Sequence, residues 1–248
     1  MDHATILGCR VDAVGSEDAV GRIVALARGS EPSLVVTLGT EMVVCAQSDE
    51  QFREAVNSSA LSLCDTVGVL LAARLQGTPL PGRVAGVELL EPLCAALARE
   101  ELPVYFLGAK GDTAARAAST LAARHPGLRI AGARDGYFGP SDDAQVAQTI
   151  RASGARVLLA GLGSPRQELW LSRWLAQSGC GVGIGVGGSF DVIAGNVARA
   201  PQLWRRLNLE WLYRLVREPS RWRRQLALPK FVVLALFERA TGRPRPAA

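Results

Sequence analysis

Six short apolar segments recur along the chain, and segments with helical periodicity separate them. Several of the six are apolar at every position instead of alternating, which is typical of strands covered on both faces in a parallel sheet. The pattern predicts an α/β architecture, a Rossmann-like and mostly parallel sheet flanked by helices. The predicted strands are 34–39, 60–65, 104–108, 128–133, 156–163 and 181–188.

Five segments between these strands have the apolar spacing of amphipathic helices. Asp112, Ser141 and Ser164 precede three of them and are expected to act as N-caps, and Pro165 suits a first helical position. The predicted helices are 41–56, 87–98, 112–124, 143–152 and 165–177.

Glycines cluster where predicted strands end, in FLGAKG, GLGSP and GVGGSF. A glycine lets the backbone approach a ligand closely, and ligands of open α/β sheets bind at the carboxyl ends of the strands. The functional site is therefore expected at this edge of the sheet, where Gly161, Gly163 and Gly187 would lie. The stretch GLGSPRQE lacks the third glycine of a dinucleotide fingerprint, so it is weak evidence for NAD.

The last 48 residues differ in charge from the rest of the chain. Residues 201–248 carry 11 Arg or Lys against 3 Glu, whereas residues 1–200 have a net charge of −3. This shift predicts two parts, a Rossmann-like catalytic domain over 1–200 and a basic helical C-terminal appendage over 201–248. We expect helix from 203 to 237, with breaks at Pro219 and Pro229.

The appendage combines arginine with tryptophan. Four arginines are spaced three or four residues apart, which would place them on one face of a continuous helix. They are Arg214, Arg217, Arg221 and Arg224, and Trp204, Trp211 and Trp222 lie between or before them. Guanidinium groups bind phosphate and indole rings prefer a polar–apolar boundary, so the composition suits a diphosphate-bearing ligand at an anionic membrane surface.

Other sequence features argue against several classes of protein and of functional site. The N-terminal residues lack a signal-peptide pattern, and the apolar run FVVLALF is too short to span a bilayer. Neither histidine has ligands at zinc spacing, and Asp-x-Asp and P-loop motifs are absent, so no metal or cofactor is expected. An odd number of cysteines without a CxxC pair indicates a reducing cytosol. They are Cys9, Cys45, Cys64, Cys94 and Cys180.

Three longer motifs together resemble one known family. LGSPRQE, GGSFDVIAG followed by RAP, and EWLYRLVREPSRWRR are similar to segments of the WecG/TagA/CpsF family of bacterial glycosyltransferases, glycosyltransferase family 26. The resemblance runs from about residue 8 to residue 231. It implies inverting, metal-independent transfer of a hexose from a UDP-sugar to an undecaprenyl-diphosphate-linked saccharide. Such transfer serves surface polysaccharide or teichoic acid assembly, on the cytoplasmic face of the bacterial inner membrane.

The reaction needs a base for the acceptor hydroxyl, and Asp65 is the candidate. It follows an apolar strand beside Cys64, where desolvation is expected to raise its pKa. The residues alone leave open whether Asp65 is a base or a helix N-cap, and the resemblance favours the base. Thr37 ends its strand as the matching family residue does and is expected to hold a substrate hydroxyl or phosphate, although a strand-end cap explains it as well.

The resemblance also implies contacts that bind the donor and acceptor. Gln167 and the turn from Gly161 to Gly163 would face the crevice, although a tight strand-to-helix turn also explains these glycines. Arg83 and Arg199 are placed near it, with a solvated surface position as the alternative. The arginines at 214, 221 and 224 would meet the diphosphates in place of a metal. Two positions depart from the family: Gly39 stands where Asn is usual, which leaves a sugar contact at this position open, and Glu88 stands where Asp is usual.

Two other functions stay open from the sequence. A nucleotide-dependent oxidoreductase would use the same fold, and the Arg/Trp appendage suits a nucleic-acid-binding module, although nucleic acid is not an expected partner. The sequence does not identify the hexose or the acceptor sugar, and it leaves open whether the chain forms a homo-oligomer.

Overall fold

The computed structural model describes residues 3–202, 204, 210–217, 222 and 226–242, without the side chains of Glu210 and Arg214. Six parallel strands form one sheet in the order β4-β3-β8-β7-β5-β6, and two antiparallel strands form a separate hairpin. The hairpin consists of β1 (His3–Ile6) and β2 (Cys9–Asp12). The sheet strands are β3 (Ser33–Leu38), β4 (Leu61–Cys64), β5 (Val104–Gly108), β6 (Ile130–Arg134), β7 (Val157–Gly161) and β8 (Val182–Gly185).

The sheet confirms all six predicted strands and the Rossmann-like architecture. Every residue of β3, β4, β5 and β8 is buried, because helices cover both faces of the sheet. Val36 and Leu38 join the core on one face, whereas Val35 joins the core on the other. This is why these strands read as continuous apolar runs.

Helices lie on both faces, and those described are α1 (Ser16–Arg28), α2 (Thr40–Cys45), α3 (Glu50–Asn57), α4 (Val67–Leu75), α5 (Gly86–Arg99), α6 (Thr113–Arg124), α7 (Asp143–Ala152), α8 (Arg166–Ser178), α9 (Ser189–Ile193), α10 (Glu210–Arg217) and α11 (Ala227–Thr241). Residues of α2, α3, α4, α7, α8 and α11 pack in one core. Residues of α1, α5, α6 and α9 pack in the other. The hairpin, α1 and α4 were not among the predicted elements.

The predicted helix 41–56 is wrong as one element, because it consists of α2 and α3. Asp49 separates them, and its side chain accepts a hydrogen bond from the backbone N–H of Phe52 at 2.9 Å, which starts α3. The other four predicted helices are confirmed to within one or two residues.

Of the three predicted N-cap residues, Asp112 occupies the N-cap position of α6, whereas Ser141 and Ser164 do not occupy N-cap positions. The carboxylate of Asp112 makes no capping bond and accepts from Arg116 Nε at 3.1 Å instead. Ser141 lies inside a short 3-10 turn, and Asp142 holds the N-cap position of α7. Ser164 makes no capping bond, and Pro165 occupies the N-cap position of α8 instead of its first turn.

The last described helix packs on the core of the sheet. Phe231, Leu234 and Ala235 of α11 are buried, and α11 contacts α2 and α4. Glu238 accepts hydrogen bonds from the backbone N–H of Leu7, at 3.1 Å and 3.0 Å to its two oxygens, so it ties α11 to the hairpin. The domain boundary at residue 200 stays a prediction.

The predicted break at Pro229 is wrong, since Pro229 is the third residue of α11. A proline fits there because the first backbone N–H groups of a helix have no intrahelical acceptor. Pro219 lies outside the described residues. None of the helices that the structure describes is long and apolar enough to cross a membrane.

Candidate active site

A cavity of about 590 Å³ opens at the carboxyl ends of β4, β3 and β8. Parallel strands bring their carboxyl ends to one edge of a sheet, so residues distant in sequence meet there. Most of the predicted site residues line this cavity: Thr37, Gly39, Asp65, Arg83, Gly163, Gln167 and Gly187.

Asp65 lies directly after β4 and is half-buried. Its Oδ1 accepts a hydrogen bond from the backbone N–H of Gly86 at 2.8 Å, at the start of α5. Its own backbone N–H donates to Leu38 O at 3.0 Å, which continues the pairing of β4 with β3. The carboxylate is therefore oriented by main-chain groups and faces the cavity at a fixed point.

Thr37 forms part of the floor of the cavity and is 8% exposed. Its hydroxyl donates to Gly185 O at 2.9 Å, which links β3 to β8. The hydroxyl proton is thus used within the protein, and the oxygen keeps its acceptor capacity toward a ligand.

Gln167 lies in the first turn of α8 and is a mostly buried part of the cavity wall. Its Oε1 accepts from the backbone N–H of Gly187 at 3.1 Å, and its Nε2 donates to Glu168 Oε1 at 2.7 Å. Burial raises the pKa of the Glu168 carboxyl to about 7, against the opposing effect of hydrogen bonds from Gln167 and Ser164. Sequence reasoning missed Glu168, although it follows Gln167 in LGSPRQE.

The glycines of the site meet different structural requirements. Gly163 has φ +80°, a backbone conformation that favours glycine. Gly39 has φ −106°, which any residue can adopt, although a β-carbon there would make a tight contact of 3.2 Å with Thr66 Cγ2. Gly161 does not line the cavity: a β-carbon there would stand 2.9 Å from Phe190 Cδ2, which makes Gly161 a packing requirement.

Two arginines share one carboxylate beside the cavity. Arg83 Nη2 lies 3.1 Å from each oxygen of Glu88, and Arg199 Nη2 lies 2.5 Å from Glu88 Oε1. Arg199 does not itself line the cavity, whereas Arg83 does. In the sequence, Glu88 stands out only because the family usually has Asp at this position. Its contacts with both Arg83 and Arg199 are visible only in the tertiary structure.

Of the residues described in the C-terminal segment, Trp211 of α10 and Leu228 of α11 line the cavity, and both side chains are apolar. Trp204 instead packs on Tyr213, with ring centroids 5.8 Å apart. Arg214 belongs to α10, but its side chain is not described, and Arg221 and Arg224 lie outside the described residues. The proposed contacts of these three arginines stay predictions.

Beside the cavity, α4 and α11 expose large apolar side chains, which we call the α4–α11 apolar surface. The two helices are in contact, and Leu71 also lines the cavity. The surface consists of Leu71, Leu75, Val232, Val233, Leu236 and Phe237.

The described residues contain no group of three His, Cys, Asp or Glu side chains placed to hold a metal ion. Four of the five cysteines are buried. Burial raises the pKa of Cys9, Cys64 and Cys94 to about 12, as expected for small apolar core residues.

Comparison with known proteins identifies one matching family model and similar curated proteins. The family model described as the glycosyl transferase WecG/TagA/CpsF family matches residues 4–245. A Bacillus spizizenii protein is 36% identical over 213 residues, covering 86% of this chain and 82% of its own length. A Bacillus subtilis protein is 34% identical over 217 residues, covering 86% of this chain and 84% of its own. Both relatives are named N-acetylglucosaminyldiphosphoundecaprenol N-acetyl-beta-D-mannosaminyltransferase.

Proposed function

Because the chain belongs to the WecG/TagA/CpsF family of glycosyltransferases, we propose that it transfers a hexose from a UDP-sugar to undecaprenyl-diphosphate-linked N-acetylglucosamine. The names of the two relatives make N-acetyl-D-mannosamine the first donor sugar to test. The family decides against the oxidoreductase and nucleic-acid alternatives. The observation that carries the proposal is the cavity that gathers Asp65, Thr37 and Gln167 at one sheet edge.

In the proposed reaction, an acceptor hydroxyl oxygen attacks the anomeric carbon of the donor. The bond from that carbon to the UDP oxygen breaks on the opposite face, so the configuration is inverted. Asp65 takes the hydroxyl proton as the new glycosidic bond forms. The fixed bond from Gly86 to Asp65 Oδ1 supports this role, because it holds the carboxylate in one orientation toward the cavity.

The leaving UDP carries negative charge that must be stabilised. Among the described residues that line the cavity, Arg83 is the cation, and Glu88 joins it to Arg199. We propose that these arginines, together with Arg214, Arg221 and Arg224 of the appendage, supply the charge that a metal ion supplies in other transferases. The Thr37 hydroxyl oxygen as an acceptor, the Gln167 amide, and the backbone of Gly163 and Gly187 would make the hydrogen bonds that orient the sugars.

The proposed acceptor is a membrane lipid, so the cavity has to lie at a membrane surface when the acceptor binds. The α4–α11 apolar surface lies at its side, and the appendage carries the basic residues that anionic lipids attract, each worth about 1 kcal/mol near such a surface. We propose peripheral binding to the cytoplasmic face of the bacterial inner membrane through this surface and the appendage.

The test is a screen of UDP-sugars against a short-chain polyprenyl-diphosphate-linked N-acetylglucosamine, with product linkage read by mass spectrometry and NMR. We expect one UDP-hexose to give a disaccharide with inverted anomeric configuration. No transfer from any UDP-sugar, or retention of configuration, would contradict the proposal.

A further inference from the structure

Glu168 is a fully buried carboxyl beside the cavity that the proposed reaction does not use. Its side chain is 0% exposed, and its Oε2 has no hydrogen-bond partner among the described residues. Burying a carboxyl group costs free energy unless its surroundings compensate. The Gln167 amide donates a hydrogen bond to Glu168 Oε1 at 2.7 Å, in addition to a hydrogen bond from Ser164, so part of the compensation comes from Gln167.

The two partners of the Gln167 amide have opposite polarity. The backbone N–H of Gly187 can only donate, so it pairs with Gln167 Oε1 at 3.1 Å. Glu168 Oε1 accepts from Gln167 Nε2 at 2.7 Å. A flipped amide would set donor against donor at Gly187 and acceptor against acceptor at Glu168. The amide therefore has one favourable orientation.

The backbone of β8 also leaves the pair little room. A β-carbon at Gly185 would stand 2.6 Å from Gln167 Nε2 and 2.8 Å from Glu168 Oε1. Both side chains therefore pack directly on the strand, at the position whose carbonyl accepts from Thr37. Close packing of this kind restricts rotation of the amide.

We propose that Glu168 is a positioning residue that fixes the Gln167 amide, so that Gln167 holds the Gly187 turn and directs its second Nε2 hydrogen to a substrate oxygen. The substrate contact rests on the proposed function. The fixed orientation of Gln167 and Gly187 does not, so the two parts can be tested separately.

The kinetic test uses four variants and a double-mutant cycle. Glu168→Met removes the acceptor at similar volume and should lower kcat/KM at least about tenfold. Glu168→Gln still presents a carbonyl oxygen to Gln167 and should stay within about threefold. Because Glu168 acts through Gln167, Glu168→Met added to Gln167→Met should cause little further loss. Glu91→Met, at a surface carboxylate paired with His125 and Arg124, is the control.

An NMR test reads the orientation without any activity. The Gly187 amide resonance should shift in Gln167→Met, and Glu168→Met should shift it in the same direction, while Glu91→Met leaves it unchanged. The positioning role is overturned if Glu168→Met leaves the Gly187 resonance in place. It is also overturned if a folded Glu168→Met keeps wild-type kcat/KM, if Glu168→Gln loses as much as Glu168→Met, or if the two losses in the cycle are additive. A failure of the proposed function would appear differently, as absence of transfer by the wild-type protein.

Discussion

The carboxylate of Asp65 accepts a backbone N–H from the first turn of α5, and an asparagine side-chain oxygen can accept the same bond. Asp65→Asn should therefore keep the fold and UDP binding but remove the base. We expect transfer to fall roughly 10²–10⁴-fold, the usual contribution of general base catalysis. Titration calorimetry with UDP and a single-turnover assay measure the two effects. Normal turnover by the folded variant would remove Asp65 from the mechanism.

Glu168 makes stability depend on pH. Its pKa is about 7 in the folded protein against an ordinary value of 4.5, because burial disfavours the charged form. The folded state thus binds the proton more tightly than the unfolded state. This contribution to stability is fully present below about pH 4.5 and is lost as the pH rises through about 7.

Glu168→Gln should remove this pH dependence, because its side chain does not titrate. Relative to wild type, the variant should gain on the order of 3 kcal/mol in free energy of unfolding between pH 4.5 and pH 8. Urea unfolding at both pH values measures the difference. Parallel profiles for the two proteins would show that Glu168 does not titrate in this range. Glu54→Gln, at an exposed position of α3, is the control.

At the scale of elements, α11 is held on the core by apolar burial. Phe231 is 3% exposed and belongs to the same core as α2 and α4. Phe231→Ala should destabilise the protein by about 3–5 kcal/mol, the cost of removing a buried aromatic side chain. Chemical denaturation measures this loss. Val232→Ala, at an exposed position of the same helix, is the control and should change stability by less than about 0.5 kcal/mol.

The outer side of α11 is proposed to contact the membrane. Its side chains Val233 and Leu236 are 56% and 54% exposed. The paired change Val233→Glu and Leu236→Glu should leave folding intact and weaken binding to anionic vesicles at least about tenfold, because each side chain contributes about 1.5–3 kcal/mol when buried. Vesicle sedimentation provides the measurement. Ile130→Glu on the edge strand β6 should have no effect, and unchanged binding of the paired variant would exclude this surface.

At the scale of the whole molecule, charge is divided unevenly along the chain: residues 1–200 have a net charge of −3, whereas residues 201–248 carry 11 Arg or Lys against 3 Glu. If arginines stabilise the departing UDP, EDTA should leave the rate of transfer unchanged. The rate with chelator, and with Mg²⁺ or Mn²⁺ added back, measures this. Loss of transfer on chelation that either ion restores would contradict the metal-independent mechanism.

The fold could be predicted from the sequence wherever a residue pattern is compatible with only one type of structure. Continuous apolar runs identified the six sheet strands, because a strand covered on both faces has no polar side. The predicted helix 41–56 failed because apolar spacing continues across the break at Asp49. The predicted break at Pro229 failed because proline both ends helices and suits their first turn, and sequence alone does not distinguish these cases.

Part of the candidate site could also be predicted, because its residues lie at or just after strand ends. Thr37 lies near the end of β3, Asp65 directly follows β4, and Gly163 turns the chain just after β7, so the carboxyl edge of the sheet brings them together. Gly161 and Gly163 look equivalent in GLGSP, yet one packs against Phe190 and the other turns the chain.

The sequence by itself determined the parallel sheet, the edge at which the site lies, and the family, because each depends on local patterns and motifs. Only the tertiary structure decided that Glu88 joins Arg83 to Arg199, that Glu168 holds Gln167, and that α11 belongs to the core. Each of these depends on which distant residues meet, such as Glu88 with Arg199 or Leu7 with Glu238. Such contacts follow from the packing of the whole chain and leave no periodic signal in the sequence.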